Sequence, residues 1–87
     1  MSQILLLDPS DNVAVALEPL AKGDRLVLSK EREIVALEPI PFAHKVALVP
    51  LREGAAVLKY GEVIGLTTRA VAVGEHVHIH NIKSQMS

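Results

Sequence analysis

The chain has 87 residues, 49% of them hydrophobic, with one Phe, one Tyr, no Trp and no Cys. A chain this short buries only about 60–65% of the surface its unfolded form exposes, so the core is small, aliphatic and dependent on good packing or a partner. A formal charge of −1, without a basic block interleaved with aromatics, excludes a nucleic-acid reader, and the absence of cysteine excludes disulfides and thiolate metal sites and fits a reducing cytoplasm.

The segment Met1-Ser2-Gln3-Ile4-Leu5-Leu6-Leu7 has no basic region, and its apolar run stops at Asp8-Pro9. That is too short for a signal peptide or a membrane span, so Ile4–Leu7 reads as a buried strand and no membrane partner is expected. Asp8 to Asn12 is a dense turn cluster, and Asp11 and Asn12 are expected to cap that turn through their own backbone. Val13–Leu17 is the second strand. Pro19 and Gly23 break the chain, and Arg25–Leu28 with Ile34–Leu37 read as a hairpin around Ser29-Lys30-Glu31-Arg32. Pro39 and Pro41 bracket a loop into Phe42-Ala43-His44-Lys45. Val46–Val49, Ala55–Lys59, Val63–Leu66, Ala70–Val73 and His76–Ile82 follow as short strands.

Only Leu17–Lys22, Pro41–Lys45 and Pro50–Glu53 suit brief helical turns, because no window holds a 3.6-residue apolar period over three turns. The pattern predicts an all-β fold with brief helical turns, one domain over residues 1–87, and a frayed tail from about Ser84. An apolar residue three places before a glycine recurs at Leu20/Gly23, Leu51/Gly54 and Val71/Gly74. The unequal spacing of the three favours a turn solution used repeatedly over a duplicated unit.

The chemistry concentrates near the C-terminus, in His76-Val77-His78-Ile79-His80-Asn81. On a strand, alternate side chains share a face about 6.6 Å apart, so the three imidazoles would line one side, and Val77 and Ile79 would face the core. Three readings stand: a solvated face, satisfied core histidines, or metal ligands and acid–base groups in a shared site. His44-Lys45, after its proline-flanked loop, offers a base and an anion clamp, or else an exposed polar pair. Lys59-Tyr60-Gly61 places a cation and a phenol at a tight turn, without the spacing of a phosphate-binding P-loop.

Taken in order, Asp11-Asn12-Val13-Ala14-Val15-Ala16-Leu17, Ile40-Pro41-Phe42-Ala43-His44-Lys45-Val46-Ala47-Leu48, Lys59-Tyr60-Gly61-Glu62-Val63-Ile64-Gly65 and Gly74-Glu75-His76-Val77-His78-Ile79-His80-Asn81 resemble the N-terminal domain of the altronate/galactarate dehydratase family. The resemblance runs from about residue 8 to residue 83. It implies a SAF-type β-clip fold and a lyase that removes water, or in a related branch sulfite, from a short hydroxy acid such as altronate, galactarate or sulfolactate.

In several members this module is a small subunit beside a large catalytic one, and a chain ending just after it is expected to be such a subunit, inactive alone. The implied partners are that large subunit, the hydroxy-acid substrate and a second copy of the chain. The implied cofactor is a divalent metal, Fe2+ or Mn2+, held mostly by the large subunit. The resemblance points to His44, His78 and His80 as catalytic, to His78 and His80 as metal-facing, and to Lys45, Lys59 and Asn81 as substrate-binding. Many relatives carry a bulkier apolar residue at the place of His76, which implies only a neighbour of the site. The rival reading is a stand-alone SAF-type binding or scaffolding module, because fold does not fix function.

Overall fold

The computed structural model describes residues 3–6 and 8–84. Among them run nine strands: β1 (Ile4–Leu5), β2 (Val13–Ala16), β3 (Arg25–Ser29), β4 (Arg32–Val35), β5 (Lys45–Ala47), β6 (Ala56–Lys59), β7 (Glu62–Thr67), β8 (His76–Val77) and β9 (Ile82–Ser84). They make three antiparallel sheets, ordered β1-β2-β5-β8, β3-β4 and β6-β7-β9. The architecture is all-β, with no helix among the described residues.

The segments expected as helical turns are something else. In each an apolar residue makes one antiparallel bridge, Leu20 with Ile40 and Leu51 with Val71. Three residues on, the backbone turns through positive φ, at Gly23 (92°), Ala43 (71°), Gly54 (80°) and Gly74 (86°). The amide after each of these donates back to a carbonyl three residues earlier, as from Asp24 to Ala21 and from Glu75 to Ala72. A left-handed third residue in such a turn is the type II pattern, which favours glycine. Ala70–Val73, expected as a strand, is the last of these stations and contributes a single bridge.

The four stations fall into two units offset by 31 positions: Leu20 and Leu51, Gly23 and Gly54, Ile40 and Val71, Ala43 and Gly74. The pairing registers repeat with the same offset. Leu26 faces Ile34 as Val57 faces Gly65, and Val15 faces Lys45 as Val46 faces His76. The chain is thus built from two consecutive copies of one backbone unit, against the expectation from spacing. Alanine at position 43 conceals the fourth station, and the three glycine stations alone look irregular.

Each copy has its own core. Leu20, Leu26, Ile34, Ile40 and Val46 anchor the first, and Leu51, Val57, Val71 and Val77 the second. The four-stranded sheet lies between them. Ala14, Ala16 and Val46 serve the first core, while Val13, Ala47 and Val77 serve the second. This is the alternation of a sheet buried on both faces. At the chain ends, β1 adds to β2 and β9 to β7. The expected buried strand over Ile4–Leu7 covers only Ile4–Leu5, with Leu5 and Leu6 exposed; Leu7 and residues 85–87 lie outside the described residues, and Ser84 pairs with Gly65.

Candidate active site

β5 and β8 run side by side, with Val46 opposite His76 and Lys45 opposite Val77. That register brings two sequence motifs, 31 residues apart, into one place. His44 leads into β5 straight from the left-handed Ala43. Its backbone is held at both ends: the amide donates to the Pro41 carbonyl (3.1 Å), and its carbonyl accepts from the Ala16 amide (2.8 Å). His76 opens β8, and its amide donates to Glu38 Oε2 (3.1 Å).

Beyond Val77 the chain leaves the sheet. Asn81, fully buried, accepts from the His78 amide through Oδ1 (2.9 Å) and donates from Nδ2 to the His76 carbonyl (2.8 Å). The amides of Asn81 and Ile82 both donate to the His78 carbonyl. The expected strand over His76–Ile82 is therefore broken at His78 into a turn. Ile79, expected to face the core, is 82% exposed at its tip. The buried amide of Asn81 satisfies more backbone groups in a turn than an extended strand would leave it, which is why the alternation stops there.

The turn still gathers the rings. The His44 and His78 imidazoles stack with centroids 3.9 Å apart and planes at 17°. His44 and His76 are 5.0 Å apart, with His44 Nδ1 2.8 Å from His76 Nε2. The exposed His80 sits at the edge, 4.9 Å from His76. One ligating nitrogen from each of His44, His76 and His78 falls within 4.8 Å of the others.

Electrostatics favours the neutral forms of His76 and His78. Burial holds His76 below the ordinary value, and the His80 and His44 charges push the same way against the pull of Glu38. Burial also lowers His78, followed by the charges of His44, Lys45 and His80. Lys45 is half-buried, and burial and then the Lys59 charge hold its ammonium below the usual lysine range.

Lys59 arrives from the second hairpin. Tyr60 (φ 59°) and Gly61 (φ 74°) form its two-residue turn, the left-handed pair that two-residue hairpins need. Asp11 clamps that turn: its carboxylate accepts from the Tyr60 amide (2.9 Å) and the Gly61 amide (2.7 Å). Asn12 ties the adjoining strand by donating to the Ala56 carbonyl and accepting from the Leu58 amide. The capping roles read from Asp11 and Asn12 are thus exercised on a hairpin nearly 50 residues away. Lys59 Nζ lies 5.6 Å from the Tyr60 ring centroid.

Of the residues singled out from sequence, His44, Lys45 and His78 come together, with Lys59 near enough for its charge to act on Lys45. His80 is at the rim. Asn81 points both ends of its amide at backbone and shapes the turn that carries His78. Two further residues join them. His76 bridges His44 and His80, and Glu38 fixes the His76 backbone. The alternation at 76, 78 and 80 pointed to His76. Nothing local pointed to Glu38.

The arrangement offers clustered imidazole nitrogens beside the desolvated Lys45 ammonium, with the Lys59 charge acting on it. It can take up a proton or a metal ion, and it can hold an anion.

A family model described as the altronate/galactarate dehydratase SAF domain matches residues 2–85. The altronate dehydratase of Escherichia coli (strain K12) is 40% identical over 86 residues, covering 98% of this chain and 17% of that protein. That of Bacillus subtilis (strain 168) is 34% identical over 87 residues, covering 100% of this chain and again 17% of the relative. The chain therefore spans only a small part of the altronate dehydratases it matches. Subunit alpha of (2R)-sulfolactate sulfo-lyase from Chromohalobacter salexigens is 34% identical over 84 residues, covering 90% of this chain and 89% of that subunit.

Proposed function

The chain belongs to the altronate/galactarate dehydratase SAF-domain family, and from that premise we propose that it is the small subunit of a lyase that eliminates water or sulfite from a short hydroxy acid. The observation that carries this reading is the convergence of His44 and His78 beside Lys45, with Lys59 close behind. Full-length similarity to a sulfo-lyase alpha subunit supports a separate large subunit as the partner.

Elimination beside a carboxylate needs a group to accept the α-proton, positive charge for the developing enolate, and help for the leaving group. Lys45 and Lys59 supply charge. The Lys45 ammonium, held down by burial and then by the Lys59 charge, is relieved when a carboxylate or sulfonate enters. His44, His78 and the rim His80 offer nitrogens to a proton or a metal ion. Asn81 holds the turn that aims His78. The clustered donors His44, His76 and His78 are all imidazole, a set that suits Fe2+ better than Mn2+. Such an ion, when bound, would act as a Lewis acid on the substrate oxygens.

The test is co-expression with a large lyase subunit, followed by assay of the purified complex against altronate, galactarate and sulfolactate. The expected result is turnover by the complex and none by this chain alone. His78→Gln should lower turnover about 100- to 10,000-fold while the complex stays assembled. Turnover by the isolated chain, or wild-type turnover in the variant, would overturn the assignment.

A further inference from the structure

The three nitrogens of His44, His76 and His78 lie closer together than separate solvated imidazoles require. They come from two parts of the chain, and each is positioned by a different backbone device. His44 follows the left-handed turn at Ala43, the His76 amide is held by Glu38, and the His78 amide is held by Asn81. All three rings are half-buried. From this geometry we infer that His44, His76 and His78 form a three-nitrogen centre for a divalent transition metal, held by this chain alone.

Metal–nitrogen bonds are about 2.0–2.1 Å, so two nitrogens on one tetrahedral ion sit ~3.4 Å apart. The tight pair here is at 2.8 Å, and all three nitrogens lie within 4.8 Å of one another. That spread brackets the required separation. The His44 and His78 rings now stack at 17°, so ligation requires them to rotate out of the stack about χ2, a soft torsion in histidine.

The 2.8 Å contact between His44 and His76 uses one N–H and one lone pair. For both nitrogens to bind an ion, the donor ring must carry its proton on its other nitrogen, so that each presents a lone pair here. With three ligands from the chain, a fourth position is left open, as in catalytic rather than structural zinc sites. No carboxylate or thiolate joins the three nitrogens, which favours Zn2+, Co2+, Ni2+, Cu2+ or Fe2+ over Mg2+ and Ca2+.

This deepens the lyase reading by giving the imidazoles a ligand role, but its test needs no turnover. The 87-residue chain, stripped with chelator, is titrated with Zn2+ and with Co2+. One ion per chain is expected, with the visible absorption of four-coordinate Co2+ and a melting temperature that rises with metal. His44→Gln, His76→Gln and His78→Gln should each weaken binding by more than ~10-fold.

Long-range imidazole nitrogen spectra of the wild-type chain serve as a second readout if a variant fails to fold. Zn2+ should shift the ring signals of His44, His76 and His78 together. No stoichiometric binding, or shifts confined to His78 and His80, would overturn the centre. Metal binding alongside an inactive complex would sink the lyase reading and leave the centre standing. An active complex whose small subunit binds no metal would do the reverse.

Discussion

Val77 and Ile79 are two residues apart and would share a face if the strand continued. Instead Val77 is fully buried in the second core and Ile79 is 82% exposed. The consequences for stability should separate accordingly. Val77→Ala removes methyls from a packed site and should cost about 1–3 kcal/mol. Ile79→Ala touches no core and should change stability by less than about 0.5 kcal/mol. Urea unfolding of both variants checks this. Equal losses would mean that β8 runs on through Ile79 and that the turn at His78 is misplaced. An exposed isoleucine beside the candidate site also gives a partner an apolar contact at no cost to the isolated fold.

At the scale of the element, the four type II stations set how the strands are laid out, and they are not equivalent. A Cβ at Gly74 would come 1.9 Å from the Val35 carbonyl oxygen, with φ at +86°. This station packs backbone against backbone, and the Leu37 amide donates to the Gly74 carbonyl. Gly74→Ala should therefore unfold the chain or lower its melting point sharply, since neither strain nor clash can relax.

Ala43 is the opposite case. A left-handed alanine costs roughly 1–2 kcal/mol, and glycine would return about 0.4–1 kcal/mol of that through a freer unfolded chain. Ala43→Gly should then be neutral or stabilising by up to about 1.6 kcal/mol. Denaturant midpoints decide it, and a clear loss on Ala43→Gly would show that the Ala43 methyl packs. The station that bears the strain is the one that leads into His44. Strain of this kind is tolerated where the surrounding bonds over-determine the backbone, as those of Pro41 and Ala16 do here.

For the molecule as a whole, the imidazole cluster ties stability to pH. His76 faces His44, His78, His80 and Glu38, and His78 faces His44, Lys45 and His80. Both are held below the ordinary value of 6.5, so between that value and their folded ones the unfolded chain binds more protons. Stability is then full above about pH 6.5 and falls as pH drops through the folded values. Urea midpoints of metal-free chain at about pH 8 and pH 7 should agree, and the midpoint at about pH 5 should be lower. His76→Gln should flatten that slope. A midpoint that stays level across the range would show that the rings gain nothing from being neutral.

Much of the outline was legible in the residues themselves. Short apolar runs between Gly and Pro determined an all-β chain, because no 3.6-residue stripe was available to bury a helix. The hairpin around Ser29–Arg32 follows from local rules, whereas Asp11 and Asn12 reach a hairpin far along the chain, and the local turn is capped by Asp8. The tertiary structure decided the rest. Whether a strand continues past Val77 depends on where a buried Asn81 finds its bonds, and periodicity carries no record of that. The duplication was hidden because backbone conformation, not side-chain identity, repeats at Ala43. His44 and His76 meet because β5 pairs with β8, and register is a property of two strands together, which neither strand's sequence contains.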